Sequence, residues 1–133
     1  KLPQCTFIGL NPSTADGASD DPTLRRCVNF ANSWGFGSLL LVNLFAMRAT
    51  HPKMLRQAID PIGPRNDLWL KRAVNESSIV IAAWGNGGDF CQRQSQVIPS
   101  LGKLHCLGTT AKGMPRHPLY CDRTCVPKIF KFP

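Results

Sequence analysis

Asn11, Asn43 and His117 are the side chains in this 133-residue chain whose types and settings suit work on a ligand. Asn11 follows an apolar run, Gln4-Cys5-Thr6-Phe7-Ile8-Gly9-Leu10, and Asn43 closes a second, Leu39-Leu40-Leu41-Val42. A carboxamide presents donor and acceptor side by side, the pattern that pairs with a nucleobase edge. An amide that ends a buried strand must find partners, either backbone groups or a ligand. His117 stands before Pro118, which holds it extended and able to project.

Other residues join them by position. Ser13 follows Asn11-Pro12, where an Asx-type turn satisfying local amides is the competing explanation. Arg48 and Arg116 are cations suited to phosphate or to solvent, and Asn86 sits in Gly85-Asn86-Gly87-Gly88, a turn without the Lys-Ser/Thr of a nucleoside-triphosphate loop. Phe36 follows a helix stop and could stack on a base or pack inward. Asp16, Asp20 and Asp21 are the acids near Asn11, and Asp20 and Asp21 equally suit helix capping.

These residues need a scaffold that gathers them. Asp21-Pro22-Thr23 is a helix start, and Leu24, Cys27, Val28, Ala31 and Trp34 form one apolar face that ends at Gly35. Ser38 to Phe45, Ser78 to Trp84 and Lys103 to Leu107 are expected as further strands, apolar on successive residues as strands covered on both faces are. A short helix is expected around Lys53 to Ala58, a longer one from Pro64 through Val74, and another from Asp89 to Leu101. The tail Lys128-Ile129-Phe130-Lys131-Phe132-Pro133 suits an edge strand or an electrostatic arm. This βαβαβαβ rhythm predicts a single α/β domain over residues 1–133, a three-layer α/β/α sandwich around a mainly parallel four-stranded sheet. Residues past the carboxyl ends of such strands share one edge, where α/β proteins hold their ligands.

Composition narrows the partners. Sixteen Lys and Arg against eight Asp and Glu give a net charge of +8, which favours a phosphate-bearing partner, although the basic residues are scattered rather than in a run. No stretch approaches the roughly 18 to 20 apolar residues of a membrane span, and no signal-peptide pattern is present, so no membrane partner and a cytoplasmic location are expected. Of the six cysteines, Cys5, Cys27 and Cys106 look like small core residues. His117, Cys121 and Cys125 imitate a metal-ligand spacing, but no C-x-x-C pair completes it, and no metal is expected.

The quoted motifs resemble those of the uracil-DNA glycosylase superfamily. Gly9-Leu10-Asn11-Pro12-Ser13 is similar to its first motif, His117-Pro118-Leu119 to its last, and Asn43 through Thr50 to its second strand end. More closely, Leu10 to Asp16, Asp20 to Thr23, Asn43 to Ala46, Asp60 to Pro64 and Pro115 to Tyr120 resemble a bacterial and phage family, the domain of unknown function DUF1643, over about Phe7 to Tyr120. The superfamily resemblance implies a uracil-DNA glycosylase-like fold and hydrolysis of an N-glycosidic bond in DNA. It implies that Asn11 holds a water near the sugar carbon, with Asp16, Asp20 or Asp21 to polarise it. His117 would donate to the departing base and Asn43 pair with its edge.

Here the usual His-Pro-Ser-Pro becomes Arg116-His117-Pro118-Leu119-Tyr120, losing a phosphate-gripping Ser for which Arg116 can substitute, while Leu119 is placed to act as a wedge. Cys5 and Cys27 cannot form the close pair an iron-sulfur branch needs, so no cofactor is expected. The leading expectation is a protein that recognises a nucleobase or nucleotide, in DNA or free, with glycosylase-type hydrolysis. Its rivals are a noncatalytic module that binds nucleic acid or a modified base, and a hydrolase of small nucleotides.

Overall fold

The computed structural model describes residues 2–12, 21–49 and 51–133. Ser13, Asp16 and Asp20, named above, lie outside the described residues. Five strands form one sheet in the order β2-β1-β3-β4-β5: β1 is Gln4–Gly9, β2 Ser38–Asn43, β3 Ile79–Ala82, β4 His105–Cys106 and β5 Lys128–Ile129. The first four run parallel, and β5 pairs antiparallel with β4. The sheet therefore has five strands rather than four. The tail supplies the extra one, because Lys128 and Ile129 meet the backbone groups that β4 would otherwise leave open.

Helices α1 (Pro22–Ser33), α2 (Pro52–Gln57), α3 (Asn66–Glu76) and α4 (Arg93–Leu101) flank this sheet. Helix α1 starts as its residues dictate: Asp21 Oδ1 accepts a hydrogen bond from the Leu24 amide at 3.1 Å, and Pro22 occupies the first turn, where an N–H has no partner in the helix. Alternation along the strands then sorts the core. Cys5, Phe7, Ile81 and Ala83 face one way and bury against Cys27, Phe30 and Ala31 of α1. Ile8, Val80, Ala82 and Trp84 face the other, against Leu70 of α3 and Val97 and Leu101 of α4. Both faces are covered, which is why the strand sequences are apolar at consecutive positions.

Cys5, Cys27 and Cys106 are buried and all six cysteines are free. Burial pushes the Cys5 and Cys27 thiols up to about 12, so they remain protonated packing groups at neutral pH. No helix among the described residues is long and apolar enough to cross a membrane.

From β1 the chain passes through α1 to the edge strand β2, then returns past β1 through α2 and α3 to β3. The strand order changes direction between β1 and β3, which is the position along the carboxyl rim where open α/β sheets hold ligands. The register fixes what borders it: Gly9 stands opposite Asn43, and Ile8 opposite Ala82.

A polar clamp secures the end of β2. Asn66 Nδ2 donates to the carbonyls of Asn43 and Leu44, both at 2.8 Å, and Arg93 Nε donates to the Leu44 carbonyl at 2.7 Å. Arg93 is 2% exposed, and its guanidinium reaches the largely exposed Asp67 at 2.6 Å. Asn66→Ala removes the side-chain donor to the Asn43 carbonyl, so a loss of about 1–3 kcal/mol is expected in chemical denaturation. Unchanged stability would show that the clamp contributes nothing.

Candidate functional site

Backbone hydrogen bonds draw four segments to the carboxyl rim. Leu44 and Phe45 amides donate to the Gly9 and Leu10 carbonyls, each at 2.9 Å, and the Ala49 amide donates to the Pro12 carbonyl at 3.2 Å. On the other side the Gly85 amide donates to the Pro115 carbonyl at 2.7 Å, and Thr110 Oγ1 donates to Asn86 Oδ1 at 2.7 Å. The two halves meet where Leu10 packs on Gly87. A β-carbon at Gly87 would lie 2.9 Å from Leu10 Cδ2, so glycine is what allows this approach.

Asn43 is the amide best arranged to meet a ligand. It lies at the odd-numbered positions of β2, with Leu39 and Leu41, on the α1 face. Its Oδ1 hangs over Gly9, 2.7 Å from where a β-carbon would be. Its carbonyl is clamped by Asn66, while its side-chain amide makes no hydrogen bond to another described residue and is only half-buried. Backbone rigidity behind an unengaged carboxamide is the arrangement a base-reading group requires.

Asn11 is tied more firmly to the protein. Its Nδ2 donates to Ala49 C=O at 2.8 Å, Pro12 C=O at 3.1 Å and Met47 C=O at 3.5 Å. These bonds staple the β1 end to the loop carrying Arg48, which is exposed. No other described residue donates to Asn11 Oδ1, the atom that could accept from a water.

His117 lies in the segment that packs against α1. Pro118–Tyr120 forms a 3-10 turn capped by His117, whose Nδ1 accepts from the Leu119 amide at 3.2 Å. An accepting Nδ1 leaves the proton of the neutral ring on Nε2, so Nε2 is a donor. Burial holds the ring's pKa below the usual 6.5, which keeps it neutral at pH 7. Because the folded value is depressed, the stability linked to this group is complete above pH 6.5 and is lost as pH falls through the folded value. In an NMR titration the His117 ring signals are expected to change with a midpoint below 6.5, while a midpoint above it would contradict the half-buried ring with an accepting Nδ1.

The remaining candidates divide. Arg116 packs its stem over Gly108, donates from Nε to Thr109 C=O at 3.1 Å, and is exposed. Leu119 is 38% exposed beside the first turns of α1, available to contact a ligand. Asn86 is exposed, and its oxygen is engaged by Thr110. Phe36 is a correction. It precedes β2, at the amino edge of the sheet and opposite the rim, and packs against the α1-side cluster, so it cannot stack on a base held by Asn43. Asp21 caps α1 through its Oδ1.

The spacing of His117, Cys121 and Cys125 has a structural explanation. Cys121 Sγ donates to the His117 carbonyl at 3.4 Å, and burial pushes its thiol up to about 11. Among the described residues no group of three or more His, Cys, Asp or Glu could hold a metal ion. Sequence reasoning missed Asn66 and Arg93, because their partners are backbone carbonyls 22 to 49 positions away and no linear motif announces such bonds. Arg26 is a further case, since its NH1 donates to the Cys121 carbonyl at 2.8 Å and so secures the His117 segment to α1.

No curated protein and no solved structure matches the chain. A family model does match, over residues 1–119, and its description is a protein of unknown function, DUF1643. It includes every motif that projects onto the rim, from Gly9 to Leu119, and the chain therefore belongs to the DUF1643 family.

Proposed function

We propose that the carboxyl rim recognises a nucleobase, carried in DNA or on a nucleotide, and that the protein hydrolyses its N-glycosidic bond. The observation that carries this reading is the Asn43 carboxamide, held over Gly9 by a clamped backbone and unengaged by other described residues. Donor and acceptor on that one group match a Watson–Crick edge. The neutral His117 ring offers Nε2–H, a donor suited to the charge that builds on a departing base. The net charge of +8 suits a phosphate-bearing substrate.

In this mechanism the nucleotide leaves the base stack and its base pairs with Asn43. As the glycosidic bond breaks, its electron pair goes to the base, and His117 Nε2–H stabilises the resulting anion. Water, with Asn11 Oδ1 accepting a hydrogen bond from it, then adds to the sugar carbon; the proton it loses passes to solvent and the base anion takes one up, so the products are the free base and a hydroxyl on the sugar carbon. The finer architecture, a uracil-DNA glycosylase-like three-layer sandwich, belongs to the same proposal and is supported by helices packed on both faces of a mainly parallel sheet.

One observation favours a binding-only module: Asn11 Nδ2 is fully engaged with backbone carbonyls, as a purely structural asparagine would be. The two readings separate on oligonucleotides carrying uracil, mismatched or modified bases. Abasic-site formation that Asn43→Ala reduces about tenfold or more supports hydrolysis, since a good bidentate pair discriminates by about 1–3 kcal/mol. Base-dependent binding without turnover on any strand favours the module, and indifference to the base contradicts both.

A further inference from the structure

Tyr120 carries its ring 79% exposed beside His117, with 5.8 Å between ring centroids and 58° between ring planes. The fold does not use that ring for packing, since it joins neither core cluster. The backbone beneath it is nevertheless fixed. The Tyr120 amide donates to the His117 carbonyl at 3.0 Å, the Cys121 amide to the Pro118 carbonyl at 3.3 Å, and the Leu119 amide to His117 Nδ1 at 3.2 Å. Arg26 NH1 donates to the Cys121 carbonyl at 2.8 Å, which ties this turn to α1. A rigid turn thus holds an uncovered aromatic face next to the ring that the proposed reaction uses. The surrounding sequence is basic: from Lys112 to Lys131 the chain has five Lys and Arg against one acid, Asp122. The Asp122 carboxylate accepts from the Thr124 amide and hydroxyl, at 2.9 and 2.8 Å, and lies in the field of Arg26. Arg116 and Arg123, which flank the turn in sequence, are exposed, and among the described residues no ion pair engages them.

We propose that Tyr120 is a stacking platform for the base next to the one that enters the rim, so that the ligand is a nucleic-acid strand rather than a free nucleotide. The inference rests on the reading of the rim as a base-binding site. A ring this exposed is not the wall of a pocket that encloses one base, so the base it meets lies outside that pocket. Neighbouring bases in a stacked strand are about 3.4 Å apart. Drawing one out widens that step and leaves its neighbour without a stacking partner. Tyr120, 5.8 Å from His117, stands one widened step from the ring that meets the departing base. Stacking on an aromatic face replaces the lost contact, and it tolerates any base because every base has a π-face. Arg116 and Arg123 supply the positive field that the phosphates of such a strand require.

Fluorescence anisotropy with two labelled single strands tests this, one of mixed sequence with a central uracil and one of the same length without bases. Phosphate contacts are common to both, so the ratio of affinities reads the base contacts. The wild-type chain is expected to prefer the base-bearing strand. Tyr120→Ala should bind that strand about tenfold more weakly, within the range of base–aromatic stacking, and bind the baseless strand as the wild type does. Tyr120→Phe keeps the ring and should keep the affinity, and thermal melting of each variant reports that the fold is intact. Deoxyuridine monophosphate has no neighbouring base, so its competition should be the same against wild type and Tyr120→Ala. A matching loss of affinity for that nucleotide would put the ring on the bound base itself and overturn the proposal. So would an unchanged Tyr120→Ala, a loss of equal size on the baseless strand, or a wild-type chain that shows no preference for bases. Asn43→Ala keeps the two readings apart. Base preference that survives Asn43→Ala and falls in Tyr120→Ala leaves the platform standing and sinks the rim, and the reverse pattern sinks the platform alone.

Discussion

Trp84→Ala is expected to lower the unfolding free energy by about 3–5 kcal/mol, a large part of the roughly 5–15 kcal/mol typical of a domain. Trp84 is 2% exposed at the end of β3, packs edge-on against Phe130 at 6.1 Å between ring centroids, and donates from Nε1 to Gln94 Oε1 at 3.0 Å. Alanine would leave both a cavity and a buried amide oxygen without its donor, and these costs add. Gly88 shows how tightly the ring is held: a β-carbon there would lie 2.5 Å from the indole. Urea denaturation measures the loss. Leu68→Ala, on the exposed face of α3, should change stability by no more than about 0.5 kcal/mol. Equal effects from the two substitutions would contradict the core as described.

His117→Ala is expected to slow release of a base by about 100- to 1000-fold under the proposed activity, the loss seen when one donor to a developing anion is removed. The variant also loses the Nδ1 cap on the Leu119 amide, so binding and turnover must be read separately. His117→Gln helps, because an amide can retain a donor without a ring that titrates. A specific role in the departing base's stabilisation predicts that turnover falls far more than affinity. Equal losses in both, or a loss tracking the melting temperature, would reduce His117 to the structural cap that its bond with the Leu119 amide already makes it.

Elements governed by local chemistry were legible in the sequence. Helix α1 begins at Asp21-Pro22 because capping and proline's fixed φ are properties of adjacent residues, and the apolar positions of β1 and β3 announce strands buried on both faces. Elements governed by distant partners were not. Strand β5 is two residues long, and only its pairing with β4 decides between the two outcomes open for the tail. A tight turn before a helix from Asp89 was expected, whereas Gly85–Gln92 forms short 3-10 turns broken by a kink at Phe90 and Cys91, and α4 starts at Arg93. Cys91 and Gln92 there take φ of 56° and 55°, a left-handed conformation that neither residue type signals.

The candidate site was legible to a similar degree and for the same reason. Asn11, Asn43 and His117 were visible as polar residues at the ends of apolar runs and before a proline, and parallel topology gathers strand ends at one rim. Phe36 failed because the residue before a strand lies at its amino end, away from that rim. Asn66, Arg93 and Arg26, which hold the rim in shape, act on backbone carbonyls far along the chain, and a carbonyl has no sequence signature.

A structure determined with a baseless-site product and its free base, or with a nucleotide, tests the central claim most directly. The base edge is expected within hydrogen-bonding distance of the Asn43 carboxamide, with its carbonyl oxygen turned to His117 Nε2. A base bound elsewhere, or the space beside Asn43 filled by side chains of this protein, would contradict it.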